Sequence, residues 1–406
     1  MIHSMPARRA LGRASDRSGL RRAVIVDVLR SPIGRARKGS LVGVRPDDLA
    51  AVVLRALLER VPEVDPKTID DFVCGCAFPF GEQGYNVGRN IALLAGLPQT
   101  VPAQTITRLC ASSMQALRSA AHAIAVGEGT TFVVVGVESF SRVGRGAELA
   151  PPNPRLDPST EGETIASVHI PMGVTAENVA DRYGVTREEM DQFAQRSQER
   201  AVASQRSGFA DREIVPIPVD GRLFDTEEGP RPESSLEGLA KLEPVFREGG
   251  RVTAGNSCQL NDGAVAALVV EEEHAYALGL LPRARILGSA VSAVDPAYMG
   301  IGPVAAIRTV LARAGLTMNE IAVLELNEAF AAQVIPVCRE VGVDPFSDVL
   351  NPHGGAIALG HPFGMTGLRL VCALLNGLDE IDAELGLAAL CVGGGQGQAM
   401  LLQRFS

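Results

Sequence analysis

No extended basic block lies beyond the first 22 residues, and the 406-residue chain carries a formal net charge of −9. A polyanion finds no long-range positive field to follow, which argues against nucleic acid as a partner. No run of about 18 apolar residues occurs, so no membrane-spanning helix is expected. The seven cysteines are an odd, scattered set without a secretory leader, and reduced thiols in a cytosol-like compartment are expected rather than a disulfide framework. Cys74 and Cys76 form C-x-C rather than C-x-x-C, and none of the six histidines is spaced near them as a zinc site requires, so no metal is expected. Tryptophan is absent, whereas 46% of the residues are hydrophobic and 43 are glycine. That balance suits a compact α/β protein with many tight turns, not a disordered chain. At roughly 100–200 residues per domain, the length implies two or three domains.

Residues 1–22 hold six arginines against one acid. They read as a flexible basic overhang, with Met5 a possible alternative start and a targeting tail the competing reading. From Ala23, AVIVDVLRSPIG is a buried strand running into a turn. The following GRARKGS has P-loop glycine spacing but Ser40 where the phosphate-binding lysine must stand, which rejects a nucleotide site there. Helices are expected over Pro46–Val61 and Tyr85–Ala95, and a strand at Phe72. The run Phe132 to Val137 reads as a strand buried on both faces in a parallel sheet. Between about Ser141 and Gln259, prolines, a charged helix and a polar stretch mark an insertion on the scaffold, and Ala264 to Val270 returns to the core. The second half, from near Pro282, repeats strand, helix, reactive-looking turn, helix and a buried strand ending in glycine, which suggests a duplicated α/β unit.

Chemistry can come from four stretches: RLCASS at Cys110, NEAF at Asn327, GHPFG at His361 and CVGGGQG at Cys391. Met114, Leu117, Ala120, Ala121 and Ile124 follow Cys110 at helical spacing, placing the thiol at a helix start. Unpaired N–H groups there favour the thiolate, the attacking species. His361 is held between Gly360 and Pro362, ready to act as a base. Around Cys391 the three glycines bare the backbone, so N–H groups can point at a substrate oxygen. Taken singly, these residues also read as a core cysteine, a turn histidine and a helix-capping asparagine.

Together, in this order, the four motifs resemble those of the thiolase family, and the likeness runs from Ala23 onward. RSPIG, MGVTAENVA, RPESSLEGLAKLEPVF, TAGNS, NDGA and MGIGP extend it. Within the family, IPMGVTAENVA and MGIGP resemble the degradative 3-ketoacyl-CoA thiolases. Biosynthetic acetoacetyl-CoA thiolases usually place a histidine where Pro171 stands. The resemblance implies an α/β thiolase fold of two duplicated halves in a five-layer αβαβα arrangement. It divides the chain into the tail 1–22, an N-terminal half (23–140 and 260–282), an inserted loop domain covering coenzyme A (141–259) and a C-terminal half (283–406).

For activity, the resemblance implies cleavage of 3-oxoacyl-CoA by CoA through an acyl-cysteine, in fatty-acid or related acyl degradation. Cys110 would be acylated, His361 would activate it, and Cys391 would be the acid/base for the acetyl-CoA carbanion. Asn327 would hold a water that, with His361, forms one oxyanion hole; N–H groups of Cys110 and Gly393 would form a second. Arg231 would contact the adenine end of CoA, and Met172, Ala254, Cys258, Met299, Ala329 and Phe330 would line the pantetheine and acyl path. No permanently bound cofactor is implied; CoA is a co-substrate and acyl-CoA the partner molecule, in a homodimer or homotetramer. A cytoplasmic location of bacterial type is expected, with a mitochondrial or peroxisomal matrix as the alternative. The competing activity is the biosynthetic acetyl-CoA C-acetyltransferase making acetoacetyl-CoA; a β-ketoacyl synthase would lack the C-x-G-G-G-Q-G cysteine, and a non-catalytic acyl-CoA-binding subunit would not need the intact thiols. Three departures stand out: Ser113 replaces a usual glycine and is expected to crowd the helix start. Cys258 replaces a serine that commonly bonds the pantetheine, and His353 replaces smaller residues.

Overall fold

The computed structural model describes residues 19–143, 153–156 and 168–405. Most of the expected tail, and part of the proline-rich start of the insertion, lie outside the described residues. The first half runs β1 (Ala23–Arg30), the short β2 (Gly34–Arg35), α1 (Pro46–Arg60), β3 (Asp71–Cys76), α2 (Val87–Leu94), β4 (Ala103–Ile106), α3 (Ser112–Val126) and β5 (Thr131–Ser139). The chain then leaves the sheet for α4 (Met172–Tyr183), α5 (Arg187–Ser207), the hairpin β6 (Ile217–Val219) and β7 (Arg222–Phe224), and α6 (Leu236–Ala240). It returns as β8 (Asn261–Glu271) and α7 (Glu272–Ala277). The second half is β9 (Ala284–Ala293), α8 (Gly302–Ala314), β10 (Val323–Leu326), α9 (Ala331–Val341), α10 (Ala356–Leu359), α11 (Phe363–Glu380), β11 (Leu385–Val392) and β12 (Gln396–Arg404).

Strand pairing shows the duplication. In the first half the order is β4-β3-β5-β8-β1, with β3 parallel to β4 and β5, and β8 antiparallel to β5 and β1. In the second half β10 is parallel to Leu350 and to β11, and β12 is antiparallel to β11 and β9. The two sets therefore share one plan, β-α-β-α-β-α-β-β. They meet where Val24 and Ile25 of β1 pair with Arg285 and Ala284 of β9, so the ladder is continuous. The sheet is mixed. The apolar run of β5 was expected in a parallel sheet, but its β8 side is antiparallel, because a strand covered on both faces carries the same apolar pattern in either pairing.

Three apolar cores separate five layers. Leu49, Leu54 and Leu57 of α1 and Ile91 of α2 pack on one face of the first sheet against Val133, Val135 and Val137. On its other face Val73 and Val134 meet Met114 and Leu117 of α3 and Leu368, Val371 and Leu374 of α11, which also pack on Leu390 and Met400 of the second sheet. Ile307 and Val310 of α8 and Val334 and Ile335 of α9 cover the far side of that sheet at Leu387 and Leu401. The order is α1/α2, sheet, α3/α11, sheet, α8/α9. Burying these side chains stabilises by roughly 1.5–3 kcal/mol each on transfer data.

Buried charges pin the inserted segment. Arg30 Nη2 lies 2.5 Å from Glu213 and Nη1 2.5 Å from Glu227, all three buried, while Asn376 of α11 donates to Glu213 at 2.9 Å. Glu177 of α4 accepts from the backbone N–H groups of Arg251 (2.7 Å) and Val252 (2.8 Å), fixing the loop that leads into Thr253–Cys258. At the rejected P-loop, the amides of Arg35 and Ser40 donate to the Glu228 carboxylate at 2.8 and 2.9 Å, so a carboxylate of the chain already occupies them.

Candidate active site

The chain carrying Cys110 comes off β4 into a single 3₁₀ turn, Leu109–Ala111, directly before α3. Leu109 takes φ 46°, a left-handed conformation that a branched residue holds only when its surroundings over-determine it. Ser112 supplies that constraint: its Oγ accepts from Arg108 N at 3.0 Å and donates to Leu109 O at 2.6 Å. The turn packs on α11 and on β11, so the thiol faces the second half.

At rest this thiol is protonated. Burial pushes Cys110 up to about 12, against the N–H groups of Gly393 and of Cys110 itself that favour the thiolate. The N–H groups at the turn act in the direction expected of a helix start, and desolvation is the larger influence. Cys391, at the end of β11, is likewise buried and its thiol is held well above its ordinary range, first by burial and then by the nearby Cys110 and Cys258. Cys258 rises to about 12 for the same first reason, with Cys110 adding to it. Three neutral thiols thus share one place.

His361 enters from the turn between α10 and α11. Its backbone N–H donates to Asn261 Oδ1 at 3.0 Å. The Thr366 hydroxyl donates to Pro362 O at 2.9 Å, leaving its oxygen to accept from His361 Nδ1 at 2.7 Å. That arrangement places the ring proton on Nδ1 and leaves Nε2 bare. Nε2 stands 3.4 Å from Nδ2 of Asn327, the residue just past β10. Burial lowers His361 to about 3, with Arg369 adding in the same direction, so the imidazole is neutral and an acceptor.

The remaining expected residues divide into two groups. Gly393 lies against the Cys110 turn, where a Cβ would meet Leu109 Cδ1 at 3.0 Å and Met172 Sδ at 3.7 Å; bare backbone is what lets its N–H reach the sulfur. Cys258 N donates to Ala329 O at 3.0 Å, and Phe330, paired with Ser257, stacks edge-on against Phe246 at 5.9 Å. Met299 is buried in the turn Pro296–Ile301, which packs on α4 and α9. Arg231 and Ala254 are exposed, and the Arg231 backbone N–H donates to Gln198 Oε1 at 2.8 Å. Among the described residues, no group of three or more His, Cys, Asp and Glu is placed to hold a metal, and no helix is long and apolar enough to cross a membrane.

Sequence reasoning missed four residues that shape this place. Thr366 sets the tautomer of His361. Glu138, buried at the end of β5, accepts from Ala77 N (2.9 Å), Gln83 Nε2 (2.6 Å) and, across the two halves, Gly364 N at the start of α11 (2.9 Å). Asn261 holds the His361 backbone, and Arg369 reaches Asn327. Of these, only Asn261 stood in a quoted motif, NDGA; the others lie within regular strand and helix text. Ser113 Oγ donates to Met365 O at 3.1 Å and accepts from Leu368 N at 3.0 Å, tying α3 to α11. His353 stacks on the Phe209 ring with centroids 3.4 Å apart.

Comparison with known proteins agrees with this architecture. The family "Thiolase, N-terminal domain" matches residues 23–273 and "Thiolase, C-terminal domain" residues 280–404. A "Beta-ketoadipyl-CoA thiolase" of Pseudomonas aeruginosa is 46% identical over 399 residues, covering 95% of this chain and 99% of that protein. A "3-ketoacyl-CoA thiolase" of Shewanella loihica is 47% identical over 393 residues, covering 95% and 100%. Among solved structures, the acetyl-CoA acetyltransferase of Bacillus anthracis superposes with a TM-score of 0.86 at 38% identity, covering 95% of this chain and all of that one. With both halves matched end to end, the chain belongs to the thiolase family of acyltransferases.

Proposed function

We propose that the protein cleaves 3-oxoacyl-CoA with CoA, giving acetyl-CoA and an acyl-CoA shortened by two carbons. The observation that carries this reading is that Cys391, from the second half, lies near enough to Cys110, from the first, for their charges to interact, while the second half also holds an imidazole whose Nε2 carries no proton. Nε2 of His361 takes the Cys110 proton as sulfur attacks the 3-keto carbonyl. Collapse of the tetrahedral adduct breaks the C2–C3 bond, leaving the acyl group on Cys110 and the electron pair on acetyl-CoA as an enolate. Cys391 protonates that carbanion. CoA then enters, the Cys391 thiolate takes its thiol proton, the CoA sulfur takes the acyl group from Cys110, and His361 returns its proton to the departing Cys110 sulfur. Two thiols are needed because the acylated one can no longer donate a proton. A protonated resting thiol suits a site that deprotonates Cys110 only when a substrate is present.

The N–H groups of Cys110 and Gly393 would receive one oxyanion, and His361 with a water held by the Asn327 amide the other. In this reading Arg231 stacks at the adenine end of CoA, where its exposed guanidinium has no ion-pair partner among the described residues, and Met172, Ala254, Cys258, Met299, Ala329 and Phe330 flank the pantetheine and acyl group. We assign 23–140 with 260–282 and 283–406 to the two catalytic halves, and 141–259 to a loop domain over CoA. The names 3-ketoacyl-CoA thiolase and beta-ketoadipyl-CoA thiolase among the similar proteins favour degradation of fatty or related acyl groups; a homodimer or homotetramer is proposed from the family resemblance alone. The likeness to acetyl-CoA acetyltransferases gives the second reading, synthesis of acetoacetyl-CoA.

Steady-state thiolysis over 3-oxoacyl-CoA substrates from four carbons upward, with 3-oxoadipyl-CoA included and Cys110→Ala as the blank, separates these readings. Rates that rise with chain length or with a distal carboxylate support acyl degradation. Activity confined to acetoacetyl-CoA moves the protein to the second reading, and none above the blank overturns both.

A further inference from the structure

Helix α11 is buried at every position from Gly364 to Leu378, and Arg369 is the only basic residue in its sequence. A guanidinium 1% exposed in an apolar layer needs a reason. Its ion pair does not provide one. Glu325 Oε2 stands 3.7 Å from Nη1, and neither Glu325 oxygen, nor Arg369 Nε or Nη1, has a hydrogen-bond partner among the described residues. An apolar side chain of similar size would serve stability as well or better. What Arg369 does reach is the candidate site: Nη2 points at Asn327 Oδ1 from 3.5 Å.

A carboxamide has nearly the same shape either way round and can present its N–H2 or its carbonyl to a neighbour. A guanidinium only donates. With Oδ1 turned to Arg369, Asn327 has to present Nδ2 to His361 Nε2, the 3.4 Å contact described above. Flipped, it would set donor against donor at Arg369 and aim a carbonyl dipole at the developing oxyanion. The Asn327 backbone is fixed independently, since Gln333 Nε2 donates to Asn327 O at 3.0 Å and Asn327 N donates to Ala389 O at 3.0 Å. The amide torsion is therefore the freedom that remains.

We infer that Arg369 is a positioning residue that locks the Asn327 carboxamide with its N–H2 toward the reacting carbonyl. This rests on the oxyanion-binding role proposed for Asn327 and His361. Arg369 has a second effect through charge. The groups that contact His361 are Asn327 past β10, Asn261 of β8, and Thr366 and Phe363 of α11, and Glu138 bonds Gly364 nearby; Arg369 is the charge that acts on the imidazole. A fixed cation keeps His361 neutral and able to accept a proton.

The test compares Arg369→Met, Arg369→Gln and Arg369→Lys with the unmodified protein in thiolysis, each scaled to its folded fraction from thermal unfolding. Removing the lock is expected to lower kcat about 100-fold, the scale of one misplaced oxyanion donor, while KM moves less than threefold. The acid limb of kcat/KM should shift upward in the Met and Gln variants, because His361 loses its neighbouring cation. Lys, which also only donates, should recover at least tenfold of the loss. Arg369→Gln decides if the Met variant fails to fold, since a second carboxamide can pair with either orientation of Asn327. A folded Met or Gln variant with kcat within threefold of the unmodified protein and an unmoved acid limb overturns the inference. So does a loss that Lys does not recover. An unmodified protein no faster than Cys110→Ala would instead overturn the proposed function itself.

Discussion

The two halves share one plan yet contribute unlike chemistry. Helix α3 of the first and α11 of the second occupy equivalent places between a parallel edge and a central strand, and each is entered through a tight turn. The first turn presents Cys110, the second His361. Helix α3 keeps a half-exposed side at Gln115, Arg118 and Ser119, whereas α11 is enclosed from Gly364 to Leu378. At the equivalent strand ends, β5 finishes with Glu138, which holds the start of α11, and β11 finishes with Cys391, which lies beside Cys110. Neither half carries the whole set. Duplication supplies two matching frames, and the residues of the proposed site come from both of them, at their junction.

The largest expected effect breaks the symmetry outright. Cys110→Ala should lower thiolysis by about 10⁴-fold or more, and intact-protein mass spectrometry after acyl-CoA treatment should find no acyl adduct. The reciprocal change, Cys391→Ala, should lower turnover by about 10²–10⁴-fold, the range of a lost general acid/base, yet still accept an acyl group slowly on Cys110. Rapid full turnover by that variant would remove Cys391 from the chemistry and leave His361 and Asn327 as the second half's contribution.

A pH experiment sharpens the contrast, because the halves bury groups of opposite sign. His361 is lowered to about 3 against an ordinary value of 6.5, so between those values the unfolded chain binds the extra proton and stability falls as pH falls. Glu138 is raised to about 7, first by burial and in spite of its four donors, against an ordinary 4.5, so in that window the folded chain holds the proton and stability falls as pH rises. From pH 6.5 to 4.5 the two contributions oppose each other, each by up to about 1.4 kcal/mol per pH unit. Relative to the unmodified protein, His361→Gln should therefore gain stability on acidification through this window and Glu138→Gln should lose it, read from urea unfolding at several pH values. Parallel curves for the two variants would show that the halves do not differ in this way.

How far this was legible in the sequence depends on distance along the chain. Cys110, Asn327, His361 and Cys391 stand in short motifs with turn residues around them, and the repeated order of strands and helices was readable from apolar periodicity. The start of α2 was not: Tyr85 and Asn86 are left-handed, and the helix begins at Val87. Glu138 looks like a solvated strand end in GVES, and its partner at Gly364 is 226 residues away. Arg369 looks like the polar face of an amphipathic helix, since nothing local says that a second sheet covers it. The desolvation of Cys110 was hidden for the same reason, because a helix start can be seen in sequence but the layer packed against it cannot.

The smallest effect concerns the seam itself. The two hydrogen bonds of Ser113 to Met365 and Leu368 join α3 to α11 eight residues or fewer from both Cys110 and His361. Space for the hydroxymethyl group comes from Gly136 of β5, where a Cβ would stand 2.6 Å from Ser113 Cβ. Ser113→Gly removes both bonds, but the α11 groups involved remain in helical surroundings that offer other partners. The expected loss is about 1 kcal/mol of stability, with kcat changed less than threefold. A larger fall in kcat at unchanged stability would mean that the seam sets the approach of Cys110 and His361, and that their alignment depends on this contact more than on the rigid frame of either half.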